Sequence, residues 1–140
     1  MTALVKDFQY HVPVAEVWNA LTDSDKMKRW YFPQLKSFQP IVGFRFQFTD
    51  DNHQYQKDWI VTEVIEGKRP AHSWAYKGFA GISEVRFELF SGNGITGLRL
   101  TQTGIENFPD HAHFSRARFD QGWDNLLGQN LKLLLHSAKP

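Results

Sequence analysis

The chain has no cysteine, which excludes disulfides, thiolate metal sites and cysteine nucleophiles. It also lacks an excess of charge of either sign. Sixteen Lys and Arg stand against 15 Asp and Glu, for a formal net charge of +1. Nucleic-acid binders carry a basic excess, so that partner class is set aside. No apolar run approaches the roughly 20 residues needed to span a bilayer. Met1 to Lys6 do not form a basic segment followed by an apolar one, the pattern of a secretory signal. These absences point to a cytoplasmic protein with no membrane span. No G-x-S-x-G, phosphate loop or dinucleotide fingerprint occurs, and no cofactor is called for.

Aromatic residues are abundant. Twelve Phe, five Trp and four Tyr make up 15% of the 140 residues. Large flat side chains fill a core, and they also line cavities for apolar or aromatic ligands. The length fits one domain, residues 1–140, able to bury roughly 70% of its unfolded surface without covalent staples.

The hydrophobic period changes along the chain. Leu4 to Val12 reads as a strand, with Phe8, Tyr10 and Val12 on one face. Pro13 ends it and suits the start of a helix. Val14, Val17, Trp18 and Leu21 then follow helical spacing. Thr22-Asp23-Ser24 offers caps for a second short helix carrying Met27, Trp30 and Tyr31 inward, and Pro33 stops it. From Phe44 the period is two. Phe44, Phe46 and Phe48 alternate with polar residues, Asp50-Asp51-Asn52 marks a turn, and Gln54 to Ile65 forms the next strand. His72, Trp74 and Tyr76 share a face, as do Val85, Phe87 and Leu89. Ser91-Gly92-Asn93-Gly94 is a hairpin turn leading to Leu98 and Leu100. A helix within about Asp110–Ser137 closes the chain, with an apolar stripe of Phe119, Trp123, Leu126, Leu127, Asn130 and Leu134.

This order predicts an α+β fold: a curved antiparallel sheet wrapped around a long C-terminal helix, with two short helices after the first strand. The gap between sheet and helix is the expected pocket.

Pro13 to Asp23 followed by Trp30, Val42-Gly43-Phe44-Arg45-Phe46, Ser83 to Leu89 with Leu98 to Gly104, and Gly122-Trp123 together resemble the START-like (SRPBCC) superfamily and its helix-grip fold. Within it the chain is most similar to the group related to the activator of a heat-shock-protein ATPase, the AHSA type. The resemblance implies a cavity between sheet and long helix. Superfamily members include lipid carriers, plant-hormone binders and polyketide cyclases.

The leading expectation is therefore binding of a small hydrophobic or aromatic molecule. Phe46, Phe48, Trp59, Phe87 and Leu89 are the expected wall from the sheet, with Phe119, Trp123 and Asn130 from the helix. His72, Trp74 and Tyr76 complete the set. His72 and Tyr76 are expected as polar anchors, or as acid and base if the protein is a cyclase or aromatase. A chaperone-type interaction module is a third reading, and a homodimer stays open. Asp110-His111-Ala112-His113 supplies only two imidazoles across a loop-to-helix junction, with His53 and His136 elsewhere, so no metal site is expected. Asp58 and Glu63, at odd spacing, are expected on opposite strand faces. Gly122 and Gly128 are expected where the helix comes close to the sheet.

Overall fold

The computed structural model of the protein describes residues 3–49 and 56–137. The Asp50-Asp51-Asn52 turn and His53 lie outside the described residues. The elements are β1 (Leu4–Tyr10), α1 (Val14–Thr22), α2 (Ser24–Trp30), β2 (Arg45–Thr49), β3 (Gln56–Ile65), β4 (Arg69–Trp74), β5 (Ser83–Ser91) and β6 (Thr96–Thr103). The closing helix is α3 (Arg116–Asn125) and α4 (Leu131–Ser137), joined by a wide π-type segment, Leu126–Asn130. The six strands form one curved antiparallel sheet in the order β1-β6-β5-β4-β3-β2. The expected fold class and element order hold.

The two faces of the sheet differ as period-two alternation demands. Inward are Phe46, Trp59, Val61, His72, Val85, Phe87, Leu98 and Leu100, all buried. Outward are Arg45 paired with Asp58, Arg99 paired with Asp7, and a Glu63–Arg69–Arg86 group. Asp58 and Glu63 thus share the outer face, against the odd-spacing expectation. A bulge between Val61 and Glu63 inserts one residue into β3 and reverses the alternation beyond it.

Asp23 caps α2 by accepting from the backbone N–H of Lys26 at 3.1 Å. Trp30, inside the core, donates to the carbonyl of Ala20 at 2.7 Å and fixes α2 on α1. Met27, Trp30 and Tyr31 turn inward as expected.

The closing helix departs from a straight α-helix in an informative way. Its buried residues are Phe119, Trp123, Leu127, Leu131 and Leu135, spaced by four. At 100° per residue, each step of four overshoots a full turn by about 40°. The wider turn at Leu126–Asn130 takes up part of that drift and keeps the stripe on the sheet. It also moves the register, so Leu131 and Leu135 occupy the core positions that the α-period assigns to Asn130 and Leu134. Asn130 is exposed and Leu134 only half-buried. The Tyr10 hydroxyl, buried under the wide segment, donates to the Leu127 carbonyl at 2.8 Å.

Among the described residues, no helix is long and apolar enough to cross a membrane.

Candidate functional site

Three parts of the fold meet around an open volume of about 430 Å³. The turn after α2 supplies Tyr31, Phe32 and Gln34. The inner face of the sheet supplies Lys57, Trp74 and Tyr76. The closing helix supplies Arg118, Phe119, Gly122, Trp123, Asn125, Leu126 and Asn130. Pro33 ends α2 at this point because it has no N–H to continue the helix. That break turns the ring of Phe32 toward the sheet, 5.2 Å from Phe48 and 5.7 Å from Trp59.

Two buried polar chains hold the walls. Trp123 donates from Nε1 to Oε1 of Gln102 at 2.8 Å, and Gln102 donates from Nε2 to Oγ of Ser83 at 3.0 Å. This ties the helix to β5 and β6. On the other side, Nδ1 of His72 lies 2.7 Å from the Ser73 carbonyl, an acceptor, so the ring proton belongs on Nδ1. Nε2 is then left to accept from the Tyr31 hydroxyl at 3.0 Å. Burial lowers the His72 pKa to about 4, and the Ser73 bond only partly opposes this. Burial also pushes the Tyr31 hydroxyl well above the usual phenol range. Both effects keep the pair neutral. Trp74 donates from Nε1 to the Tyr76 oxygen at 2.8 Å.

The structure brings five of the expected residues to the cavity surface: Trp74, Tyr76, Phe119, Trp123 and Asn130. It places six elsewhere. Trp59 lies deep in the core, stacked on His72 at 4.5 Å and 4.2 Å from Trp74, with Phe46 and Phe48 edge-on at 5.7 and 5.0 Å. Leu89 is buried opposite Leu98. His72 and Phe87 border a separate void of only about 10 Å³, room for no more than about one water. These six face inward as their period requires, but other side chains cover them. The two glycines also differ. A Cβ on Gly128 would sit 3.4 Å from the Phe8 ring, the expected close approach, whereas one on Gly122 would meet nothing within 4 Å and would project into open space.

Residues 11–136 match the family described as Activator of Hsp90 ATPase homolog 1-like protein. The chain belongs to this family. Solved structures share its fold at low identity. Protein MLL2253 from Mesorhizobium loti is 24% identical with a TM-score of 0.78, the alignment covering 99% of this chain and 100% of that one. The Aha1 dimer from Colwellia psychrerythraea is 22% identical with a TM-score of 0.78, covering all of both chains. DynU16, a protein of the dynemicin biosynthetic locus, is 23% identical with a TM-score of 0.78, covering 99% of this chain and 48% of that one. No curated protein matches the chain.

In this family member the cavity holds a residue that the sequence reading passed over. Lys57 is only 4% exposed and faces inward, paired across the strands with Phe48. Its ammonium sits 4.7 Å from the Phe32 ring centroid, 5.6 Å from Phe48 and 5.8 Å from Tyr76. Aromatic faces carry negative charge and attract a cation. The signal was present: Lys57 falls in phase with Trp59 and Val61, two residues that must point inward. Tyr31 and Gln34 were also missed as wall residues. Tyr31 is expected inward on α2 but as core, and Gln34 lies in a turn, where no period assigns a face. Among the described residues, no group of three or more His, Asp or Glu is placed to hold a metal ion.

Proposed function

We propose that the protein binds a small hydrophobic or aromatic molecule in the cavity between the α2 turn, the sheet and α3. The observation that carries this reading is an open volume of about 430 Å³ walled by the rings of Tyr31, Phe32, Trp74, Tyr76, Phe119 and Trp123. That volume lies within the roughly 300 to 1,000 Å³ usual for small-ligand sites. Aromatic walls give a ligand apolar contact and stacking, and the amides of Gln34, Asn125 and Asn130 give it orientation.

A second reading, a cyclase-like enzyme, draws on one contact. Tyr31 reaches the cavity and hands its hydroxyl proton toward His72. The pair's pKa shifts argue against easy proton release, because a raised phenol is a weak acid and a lowered imidazole a weak base. Binding is therefore preferred over turnover.

Gly122→Leu tests the binding reading directly. Gly122 lines the cavity, and a side chain there enters open space. Leucine in a helix interior is also better than glycine by about 0.5 to 1 kcal/mol. The variant should keep or raise thermal stability, yet lose the small molecule that native mass spectrometry finds on wild type purified from its own host. A variant that retains this molecule like wild type, or a wild type that carries none, would count against the proposal. The mass of the intact species also reports whether the chain, like its Colwellia relative, assembles as a dimer.

A further inference from the structure

We infer that this cavity takes an amphipathic aromatic molecule in one orientation, with its apolar rings buried and its polar group kept at the mouth. The inference rests on the binding reading above and adds which end of the ligand enters. Burial sorts the lining into two zones. Tyr31, Trp74, Tyr76, Phe119 and Trp123 are each no more than 6% exposed and form the floor. Arg118, Asn125 and Asn130, all on the closing helix, are exposed and form the rim.

A floor of Trp and Tyr could still present polar atoms to a ligand, but here the protein has engaged them. Nε1 of Trp123 donates to Gln102 at 2.8 Å, Nε1 of Trp74 to the Tyr76 oxygen at 2.8 Å, and the Tyr31 hydroxyl to Nε2 of His72 at 3.0 Å. An indole has one donor and no acceptor, and a phenol has one proton to give. Lys57, the other polar side chain of the floor, has Nζ among the rings of Phe32, Phe48 and Tyr76, and neither it nor Tyr76 stands without a partner. A ligand hydroxyl pressed onto this floor would give up its water for nothing in return. An apolar ring system loses nothing there and gains stacked and edge-on contacts. At the rim, one guanidinium and two carboxamides offer donors and acceptors beside bulk water, so a polar head there keeps its hydrogen bonds.

The test is calorimetric titration with three rods that share one ring system. They are 4-hydroxybiphenyl, 4,4′-dihydroxybiphenyl, which is polar at both ends, and the tri(ethylene glycol) ether of 4-hydroxybiphenyl, which lengthens the polar end alone. Wild type should bind the dihydroxy compound about tenfold or more weakly than 4-hydroxybiphenyl, the cost of one buried hydroxyl without a partner. It should bind the ether within about threefold of 4-hydroxybiphenyl, because the added chain leaves through the mouth. Gly122→Leu, which fills the cavity, should weaken all three by about tenfold or more. Equal affinity for the mono- and dihydroxy compounds, or loss of binding by the ether alone, would overturn the orientation and leave the binding reading intact; neither comparison needs a variant to fold. Binding of none of the three would overturn both. Undiminished binding of 4-hydroxybiphenyl to Gly122→Leu would place the compounds outside the cavity and overturn the inference.

Discussion

Trp123→Ala should destabilise the fold by about 3 to 5 kcal/mol, the range for truncating a fully buried large aromatic residue. Trp123 is 1% exposed and packs edge-on against Trp74 at 5.6 Å and Phe87 at 5.9 Å. Its removal takes away the ring that seats the closing helix on the sheet. It also strips Oε1 of Gln102 of the donor that it meets at 2.8 Å, leaving a buried amide oxygen without that bond. Trp123→Phe separates the two effects. It keeps most of the apolar area and loses the N–H, so it should cost about 1 to 3 kcal/mol. Urea unfolding of the three proteins reads both numbers. A loss below about 1 kcal/mol for the alanine variant would mean that the helix does not depend on this contact.

The second large effect is on pH. His72 titrates near 4 in the folded protein because its ring is enclosed, against about 6.5 for an exposed histidine. Between those values the unfolded chain binds a proton that the folded one does not. Stability therefore rises with pH across that window. The contribution is fully present above about pH 6.5 and is lost as pH falls toward 4, by about 3 kcal/mol in all. Protonation would also place a second donor on Nε2, against the Tyr31 hydroxyl that now donates to it. Unfolding free energies measured from pH 7 down to 4 should show this slope in wild type and a shallower one in His72→Gln. Parallel curves for the two proteins would show that His72 is not the group responsible.

These two residues also show how far a sequence reaches. The inward direction of Trp123 follows from its place on an apolar stripe, and that of His72 from its phase with Trp74. Both inferences hold, since each is buried. Depth was not legible. His72, read as an anchor at a pocket wall, lies beneath Trp59 and Tyr31, while Tyr76, four residues on, reaches the cavity. A period of two says which face a side chain leaves from and nothing about what lies on top of it. Lys57 follows the same rule, since its phase with Trp59 places it inside although lysine ordinarily takes the wet face.

The amino-acid sequence by itself determined the order of elements, the antiparallel pairing of successive strands and the apolar face of each, because local periodicity and turn chemistry act over a few residues. The Phe44-Phe46-Phe48 alternation, the Pro13 and Pro33 boundaries and the Gly92–Gly94 turn are all of this kind. Only the tertiary structure decided the bulge after Val61 that brings Glu63 to the outer face, and the wide turn at Leu126–Asn130 that hands core positions to Leu131 and Leu135. It alone decided where the cavity opens, beside Gly122 and Lys57. Each of these is an adjustment of one element to the surface it packs against. Such adjustments answer to the shape of a distant partner, and no local pattern of residues carries that shape.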